Sequence, residues 1–275
     1  MERLTPDAID ILRQSDRLCG GGDYRGAMAL VEEAYGKACG LGDDAAKLTL
    51  GNELLGFYRS FGRFDEAGEL CGSLLGLLDS MKGLPAIARA TSLLNIGTSL
   101  KVLGRFDEAE KCYESSLAAY LEEMAPDDLR LAPLYNNRGL LYRDMGEAEK
   151  AKDSFLNADR IDIANGARLE SAITRTNLAS LLTKSGDLDE AERYAADAIA
   201  FFESPEGEGD YHALAAYAAR AELLWRSGAP EKAAEEYRNL AVLAQRRGAP
   251  ERDVQKFIRN AEWLEKRASE TERTE

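Results

Sequence analysis

Two series of polar residues recur along the chain at near-constant spacing, and both could form non-covalent contacts with a bound peptide. The basic series is Arg59, Lys101 and Arg143, each 42 residues from the next. The asparagine series is Asn95, Asn137 and Asn177. Amide groups can hydrogen-bond an extended peptide backbone, and cations can attract acidic side chains. The spacing predicts that equivalent residues lie in rows.

A structural role for the same residues is an open alternative. Each asparagine could instead bond to the neighbouring repeat, since most buried polar groups are hydrogen-bonded within the protein, and the cations could be solvated or paired locally. Trp225 could be a packing residue or, if exposed, an anchor for a partner. Under the binding interpretation, the candidate contact residues are Asn52, Arg59, Asn95, Thr98, Lys101, Asn136, Asn137, Arg143, Asn177, Ser180, Trp225 and Arg226.

The residue types that catalysis and metal binding need are scarce. His212 is the only histidine, so no histidine-based metal site or catalytic triad can be assembled from this chain. The glycines at 20–22 precede Asp23 and lack the Lys-Ser/Thr of a phosphate-binding loop. Adjacent carboxylates, as at 32–33 and 127–128, indicate solvated faces or helix caps. We therefore expect no enzymatic activity, no cofactor and no metal.

Composition restricts the partner and the compartment. A formal net charge of −14 argues against general nucleic-acid binding, which needs a basic surface. Hydrophobic residues make up 45% of the 275 positions, which is enough to bury a core. No apolar stretch approaches the roughly 20 residues of a membrane span, and no basic region followed by an apolar run begins the chain. We expect a cytoplasmic protein whose four cysteines are reduced.

Helix pairs arranged as a repeat are the elements that must position these residues. A glycine followed five residues later by an alanine occurs six times, with the glycines 40 or 42 residues apart. The pairs are Gly22/Ala27, Gly62/Ala67, Gly104/Ala109, Gly146/Ala151, Gly186/Ala191 and Gly228/Ala233. A fixed period in this range indicates a repeat architecture. Apolar residues follow a helical period and no strand-like alternation is sustained, which predicts an all-α fold.

The spacing predicts about six helix pairs and a C-terminal helix. The pairs fall near residues 5–40, 45–80, 84–123, 127–164, 167–205 and 209–247. Residues 250–269 have one apolar and one charged face, as a capping helix requires. Residues 270–275 lack apolar side chains and are expected to form a flexible tail. The organisation predicted is a single domain over residues 1–269.

The sequence within each pair resembles the tetratricopeptide repeat. The short pattern of that repeat is L-G-x-x-Y in the first helix and A-x-x-x-F in the second. It is matched by Arg138-Gly139-x-x-Tyr142 with Ala151-x-x-x-Phe155, and similarly at 96–100 with 109–113 and at 220–224 with 233–237. The period is longer than the usual ~34 residues and is similar to that of kinesin light chain and related bacterial proteins. The resemblance covers nearly the whole chain and is strong in units three to six.

This resemblance implies a right-handed superhelical solenoid of antiparallel helix pairs whose first helices line a concave face. It implies a scaffold or adaptor that binds an unidentified protein or peptide there, with an acidic segment as a candidate because of the basic series. A carboxylate clamp for chaperone C-termini is not supported, since Pro133 and Asn137 stand where a Lys and an Arg are needed after Asn95. A self-associating structural module, present as a homo-oligomer, and a signalling-peptide receptor are the open alternatives.

Overall fold

The computed structural model describes the backbone of residues 7–272 and the side chains of residues 7–269. Within this part the chain forms thirteen α-helices and one short 3-10 helix, with no β-strand. The predicted all-α helical-repeat fold is confirmed. Residues 5–6, where the sequence places the start of the first helix, lie outside the described part, as do residues 273–275 of the expected tail. None of the described helices is long and apolar enough to cross a membrane.

Contacts divide the chain into two compact units, Met1–Pro126 and Asp127–Glu275. The first unit contains three helix pairs. Their helices are α1 (Ala8–Gly20), α2 (Tyr24–Leu41), α3 (Asp44–Phe61), α4 (Phe64–Ser80), α5 (Ala86–Val102) and α6 (Phe106–Leu121). The single domain expected from the repeats stays a prediction.

The second unit contains three further pairs and a C-terminal helix. It opens with a 3-10 turn, Leu129–Leu131, that the sequence pattern did not predict. The helices are α7 (Ala132–Met145), α8 (Ala148–Ala164), α9 (Arg168–Ser185), α10 (Leu188–Phe202), α11 (Ala213–Arg226), α12 (Pro230–Arg246) and α13 (Glu251–Glu272). The backbone of α13 continues past residue 269, into the segment expected to be a tail.

The recurring glycine of the sequence repeat is required by the turn inside a pair. Gly62 ends α3 and Gly146 ends α7, with φ angles of 70° and 81°. Residues with a Cβ rarely adopt this left-handed conformation, whereas glycine does so without penalty. The amide that follows then bonds back to the helix, as in Glu147 N–H to Tyr142 O at 2.8 Å. The glycine therefore sets where the second helix begins.

Close packing within a pair depends on a second glycine, inside the first helix. A Cβ on Gly97 would lie 2.8 Å from Cε1 of Tyr113, and one on Gly139 would lie 2.5 Å from Cδ1 of Phe155. Both rings are completely buried. The aromatic residue of the second helix thus fills the space that the glycine leaves, which explains why the sequence carries both.

The first helix α9 also joins two neighbouring layers of the core. In α9, Leu178 and Leu181 belong to a buried cluster with Tyr142 and Phe155 of the preceding pair. On the same helix, Ala179 and Leu182 belong to a second cluster, which includes residues of α10 and α11. Stability in such an arrangement is approximately a sum of terms between neighbouring repeats.

Replacing Gly139 with alanine should destabilise the protein. The new Cβ would displace the buried ring of Phe155, and overpacking of this kind typically costs about 1–3 kcal/mol. Gly56→Ala in α3 is the matched control, because its Cβ would meet only Nη2 of Arg59, at 4.0 Å. We expect this control to raise the free energy of unfolding by about 0.5–1 kcal/mol, since glycine disfavours a helix interior. Urea unfolding followed by circular dichroism measures both, and a stabilising Gly139→Ala would contradict the packing argument.

Candidate functional site

A groove of about 1220 Å³ lies on the first helices of the first unit. Residues of α1, α3 and α5 line it, together with the start of α2. Three residues singled out from the sequence are among them, namely Asn52, Arg59 and Asn95. A recess with apolar walls and a few convergent polar groups is the usual form of a ligand site.

The polar groups in this groove bond across neighbouring repeats. Asn52 Nδ2 donates to Ser92 Oγ at 2.8 Å, and Asn95 Nδ2 donates to Asn52 Oδ1 at 3.4 Å. Arg59 Nη1 donates to Ser99 Oγ at 2.6 Å. These bonds use amide groups that a peptide backbone would otherwise meet, as the structural interpretation requires. They also hold the side chains in fixed positions.

The charges in the groove nearly cancel. Its lining contains Asp23, Arg25, Glu53 and Arg59. Desolvation lowers the pKa of Arg59, which stays cationic because a guanidinium does not lose its proton in proteins. Desolvation, with the nearby charge of Asp16, raises the pKa of Glu53. The groove therefore does not select strongly for an acidic ligand.

Thr98 and Lys101 do not line this groove. The Thr98 hydroxyl donates to Leu94 O at 2.8 Å and accepts from the Tyr113 hydroxyl at 3.2 Å. Thr98 thus faces the second helix of its own pair. Lys101 is half-buried in the last turn of α5, as Arg59 is in the last turn of α3, but only Arg59 lines the groove.

A second recess, of about 810 Å³, lies in the second unit, where α9, α11 and α13 meet. We call it the α9–α11 pocket. Arg143, Asn177 and Ser180, which the sequence singled out, line it. Other lining residues were missed, because they lie outside the repeated positions. These are chiefly Tyr211 and His212 before α11, Arg247 after α12, and Lys256 and Phe257 on α13.

Cations outnumber carboxylates in the α9–α11 pocket. The lining cations are Arg143, Lys184, Arg247 and Lys256, and the lining carboxylates are Glu222 and Asp253. This local excess is opposite in sign to the net charge of −14 on the whole chain. Arg143 is paired with Asp144 at 2.8 Å, so the excess comes from Lys184, Arg247 and Lys256. A local excess of one sign attracts ligands of the other sign, which favours an anion here.

Hydrogen bonds fix the segment that precedes α11 at the pocket. His212 Nδ1 lies 2.8 Å from Asp210 Oδ1, and Arg247 Nη1 donates to Asp210 O at 2.7 Å. The Tyr211 ring lies against the His212 ring, with centroids 3.9 Å apart, and is 70% exposed. The pocket is therefore preformed, which reduces the entropy cost of binding.

The other residues predicted in this unit lie outside the α9–α11 pocket. Asn136 accepts a bond from Asn177 Nδ2 at 3.0 Å, again across neighbouring repeats. Asn137 is half-buried on α7. Trp225 packs in the cluster between α11 and α13, and Arg226 is exposed and paired with Glu222 at 2.9 Å.

A separate group of buried charges lies where α8, α9 and α10 meet. Asp159 accepts bonds from Ser171 Oγ at 2.5 Å and from Arg175 Nε at 3.1 Å. Asp162 is 1% exposed, and burial, with the charges of Glu170 and Asp159, raises its pKa to about 7. No three His, Cys, Asp or Glu side chains of the described part are placed to hold a metal ion. We interpret this group as part of the packing between repeats.

Sequence comparisons identify the repeat. Models of the tetratricopeptide repeat match residues 88–158 and 171–204, and these segments are tetratricopeptide repeats. The chain is also similar to the Arabidopsis thaliana protein KINESIN LIGHT CHAIN-RELATED 1, with 26% identity over 141 residues. The alignment covers 50% of this chain but only 23% of the plant protein.

Solved structures of kinesin light chain-like and other tetratricopeptide proteins share the fold. A kinesin light chain from Podosopora anserina with nearly identical TPR-like repeats has a TM-score of 0.59 and 18% identity, covering 72% of this chain and 96% of its own. BtubC (BKLC) from P. vanneervenii has a TM-score of 0.57 and 17% identity, covering 90% of both chains. A signal transduction ATPase from Pyrococcus horikoshii with a tetratricopeptide repeat sensor has a TM-score of 0.67 and 15% identity. The alignment covers 94% of this chain and 41% of the ATPase chain.

Replacing Asp162 with asparagine should change how stability depends on pH. Its folded-state pKa of about 7 lies above the ordinary value of 3.8. The folded protein therefore holds a proton that the unfolded chain releases, and this contribution to stability is lost as pH rises from about 4 to 7. We expect Asp162→Asn to gain about 2–3 kcal/mol of stability relative to wild type between about pH 5 and about pH 8.

Urea unfolding at the two pH values measures this difference. The exposed Asp153→Asn in the same helix is the control. A stability difference between Asp162→Asn and wild type that stays constant with pH would show that Asp162 does not titrate in this range.

Proposed function

We propose that this tetratricopeptide-repeat chain is a scaffold or adaptor that binds segments of partner proteins in the recesses of its first helices. Proteins with such repeats generally mediate interactions with proteins or peptides. The observation that carries the proposal is that the first helices of each unit line a preformed recess, of about 1220 Å³ and about 810 Å³. Hydrogen bonds already fix some of the lining side chains, such as Asn52 and Arg59, which lowers the entropy cost of binding.

Charge suggests which partner the second unit selects. Lys184 and Lys256 are exposed where they line the α9–α11 pocket, beside the anchored Arg247. An acidic segment would bring carboxylates close to all three. Exposed ion pairs contribute only about 0.2–1 kcal/mol each, so these cations supply selectivity while apolar contacts, as with Phe257, supply much of the affinity.

The Gly56→Phe variant should block the groove of the first unit. Gly56 lines that groove, and a side chain there would meet no packed neighbour before entering it. We would select peptides from a random-peptide phage library on the wild-type chain and measure their binding by fluorescence anisotropy. Peptides that use this groove should bind Gly56→Phe at least about tenfold more weakly, a loss of ~1.4 kcal/mol. Gly56→Ala leaves the groove open and should bind like wild type.

The double variant Lys184→Ala/Lys256→Ala should weaken acidic peptides from the same selection. We expect a loss of about three- to tenfold at ~0.1 M salt, from two exposed ion pairs. The loss should shrink at ~1 M salt, where the screening length falls to about 3 Å. Lys232→Ala removes an exposed lysine of α12 that does not line the pocket, and is the matched control.

Two results would count against the proposal. Selected peptides that bind Gly56→Phe and the double lysine variant as tightly as wild type would place binding on another surface. A failure to enrich peptides, combined with a solution mass that rises with protein concentration, would favour the self-associating module.

A further inference from the structure

Both tryptophans of the chain lie together at the C-terminal end of the second unit. Trp225 of α11 and Trp263 of α13 have ring centroids 5.2 Å apart and planes at 80°. With Tyr237 and Glu222 they line a recess of about 90 Å³, which Asn260 and Leu264 complete. We call this the aromatic recess. It contains three aromatic rings and one carboxylate, drawn from three different helices.

Aromatic faces and a carboxylate together favour a cation. The face of an aromatic ring carries partial negative charge and attracts cations, most strongly for tryptophan. Arginines of this chain already take such positions, with Arg226 5.4 Å from the Trp225 centroid and Arg267 4.7 Å from the Trp263 centroid. The Glu222 carboxylate adds a full negative charge 2.9 Å from Arg226 Nε.

The size and lining of the recess narrow the choice of cation. Its volume of about 90 Å³ is several times the ~10–15 Å³ of cavity that can hold one water molecule. A strongly hydrated ammonium or metal ion would exchange its water for aromatic faces and a single carboxylate, at high cost. A methylated ammonium group is compact and apolar outside, and aromatic cages are the form of site that recognises such groups.

We propose that the aromatic recess binds a methylated ammonium group, supplied by a methylated lysine of the bound protein segment. Glu222 and Tyr237 line both the aromatic recess and the α9–α11 pocket. A segment held in the pocket can therefore extend a lysine side chain into the recess, with its aliphatic stem packed on apolar surface. The choice of a lysine rests on the proposed function, whereas the affinity of the recess for a small cation does not.

Arg226 is the resident competitor for the Trp225 face and the Glu222 carboxylate of this site. Its exposed guanidinium lies over Trp225 and pairs with Glu222, which are the two groups that the ligand cation would use. Removing the Arg226 side chain should therefore strengthen ligand binding, whereas removing the Glu222 charge should weaken it. A purely structural role for these residues predicts no such opposite effects.

Intrinsic fluorescence can test the recess, because its two tryptophans are the only ones in the chain. We would titrate the full chain with tetramethylammonium chloride, with sodium chloride at equal ionic strength as the control. We expect a saturable change that is at least tenfold weaker in Glu222→Gln and at least threefold tighter in Arg226→Ala. Arg252→Ala removes another exposed arginine, on α13 and away from the recess, and should match wild type.

The absence of a saturable response to tetramethylammonium in folded protein would overturn the proposal. Circular dichroism verifies the folding of each variant.

The lysine is tested separately, with library-selected peptides that are synthesised with one lysine either unmodified or trimethylated. We expect trimethylation to tighten binding at least tenfold at one lysine position. A response to tetramethylammonium and free choline without any gain from trimethylated peptides would overturn lysine as the occupant. Neither failure alters the salt-dependent binding measured with Lys184→Ala/Lys256→Ala, so the two proposals fail independently.

Discussion

The close approach of the two helices in a pair is the contact on which the rest of this structure depends. Gly139 lets the buried ring of Phe155 pack directly against the backbone of α7, and Gly97 does the same for Tyr113 on α5. Because each pair is locked internally, it can pack on its neighbours as one layer. The first helices of these layers line the recesses.

The repeated asparagines hydrogen-bond to neighbouring repeats within the protein, so these amide groups contribute to packing before they can contact a ligand. Asn52 bonds to Asn95, and Asn136 to Asn177, because a half-buried amide without a partner would cost stability. A side chain that already holds two layers together can still shape a binding surface, but it has fewer groups left to offer a ligand. Under the proposed function, selectivity therefore depends on residues that are not repeated.

Those residues concentrate where the repeat ends. The segment before α11 and the helix α13 bring Tyr211, Lys256 and Trp263 to the α9–α11 pocket and the aromatic recess. The helix α13 lies outside the recurring glycine–alanine pattern, so it need not carry the residues that this pattern requires. It can thus carry charge and aromatic rings that an internal repeat would have to bury. A partner segment that is acidic and contains a methylated lysine would meet both features of this end of the unit.

The sequence by itself determined the helices, their pairing and the turns, because these follow local rules. The helical period predicts the helices, and Gly146 provides the left-handed turn between two of them. A glycine opposite an aromatic ring indicates which helices pair. It also indicated the repeat family. Only the tertiary structure decided which polar residues line a recess, since of the equivalent residues Arg59 and Lys101 only Arg59 lines the groove. The contact of Trp225 with Trp263 likewise depends on how α13 packs on α11. The sequence period does not predict this contact, because α11 belongs to the repeat and α13 does not.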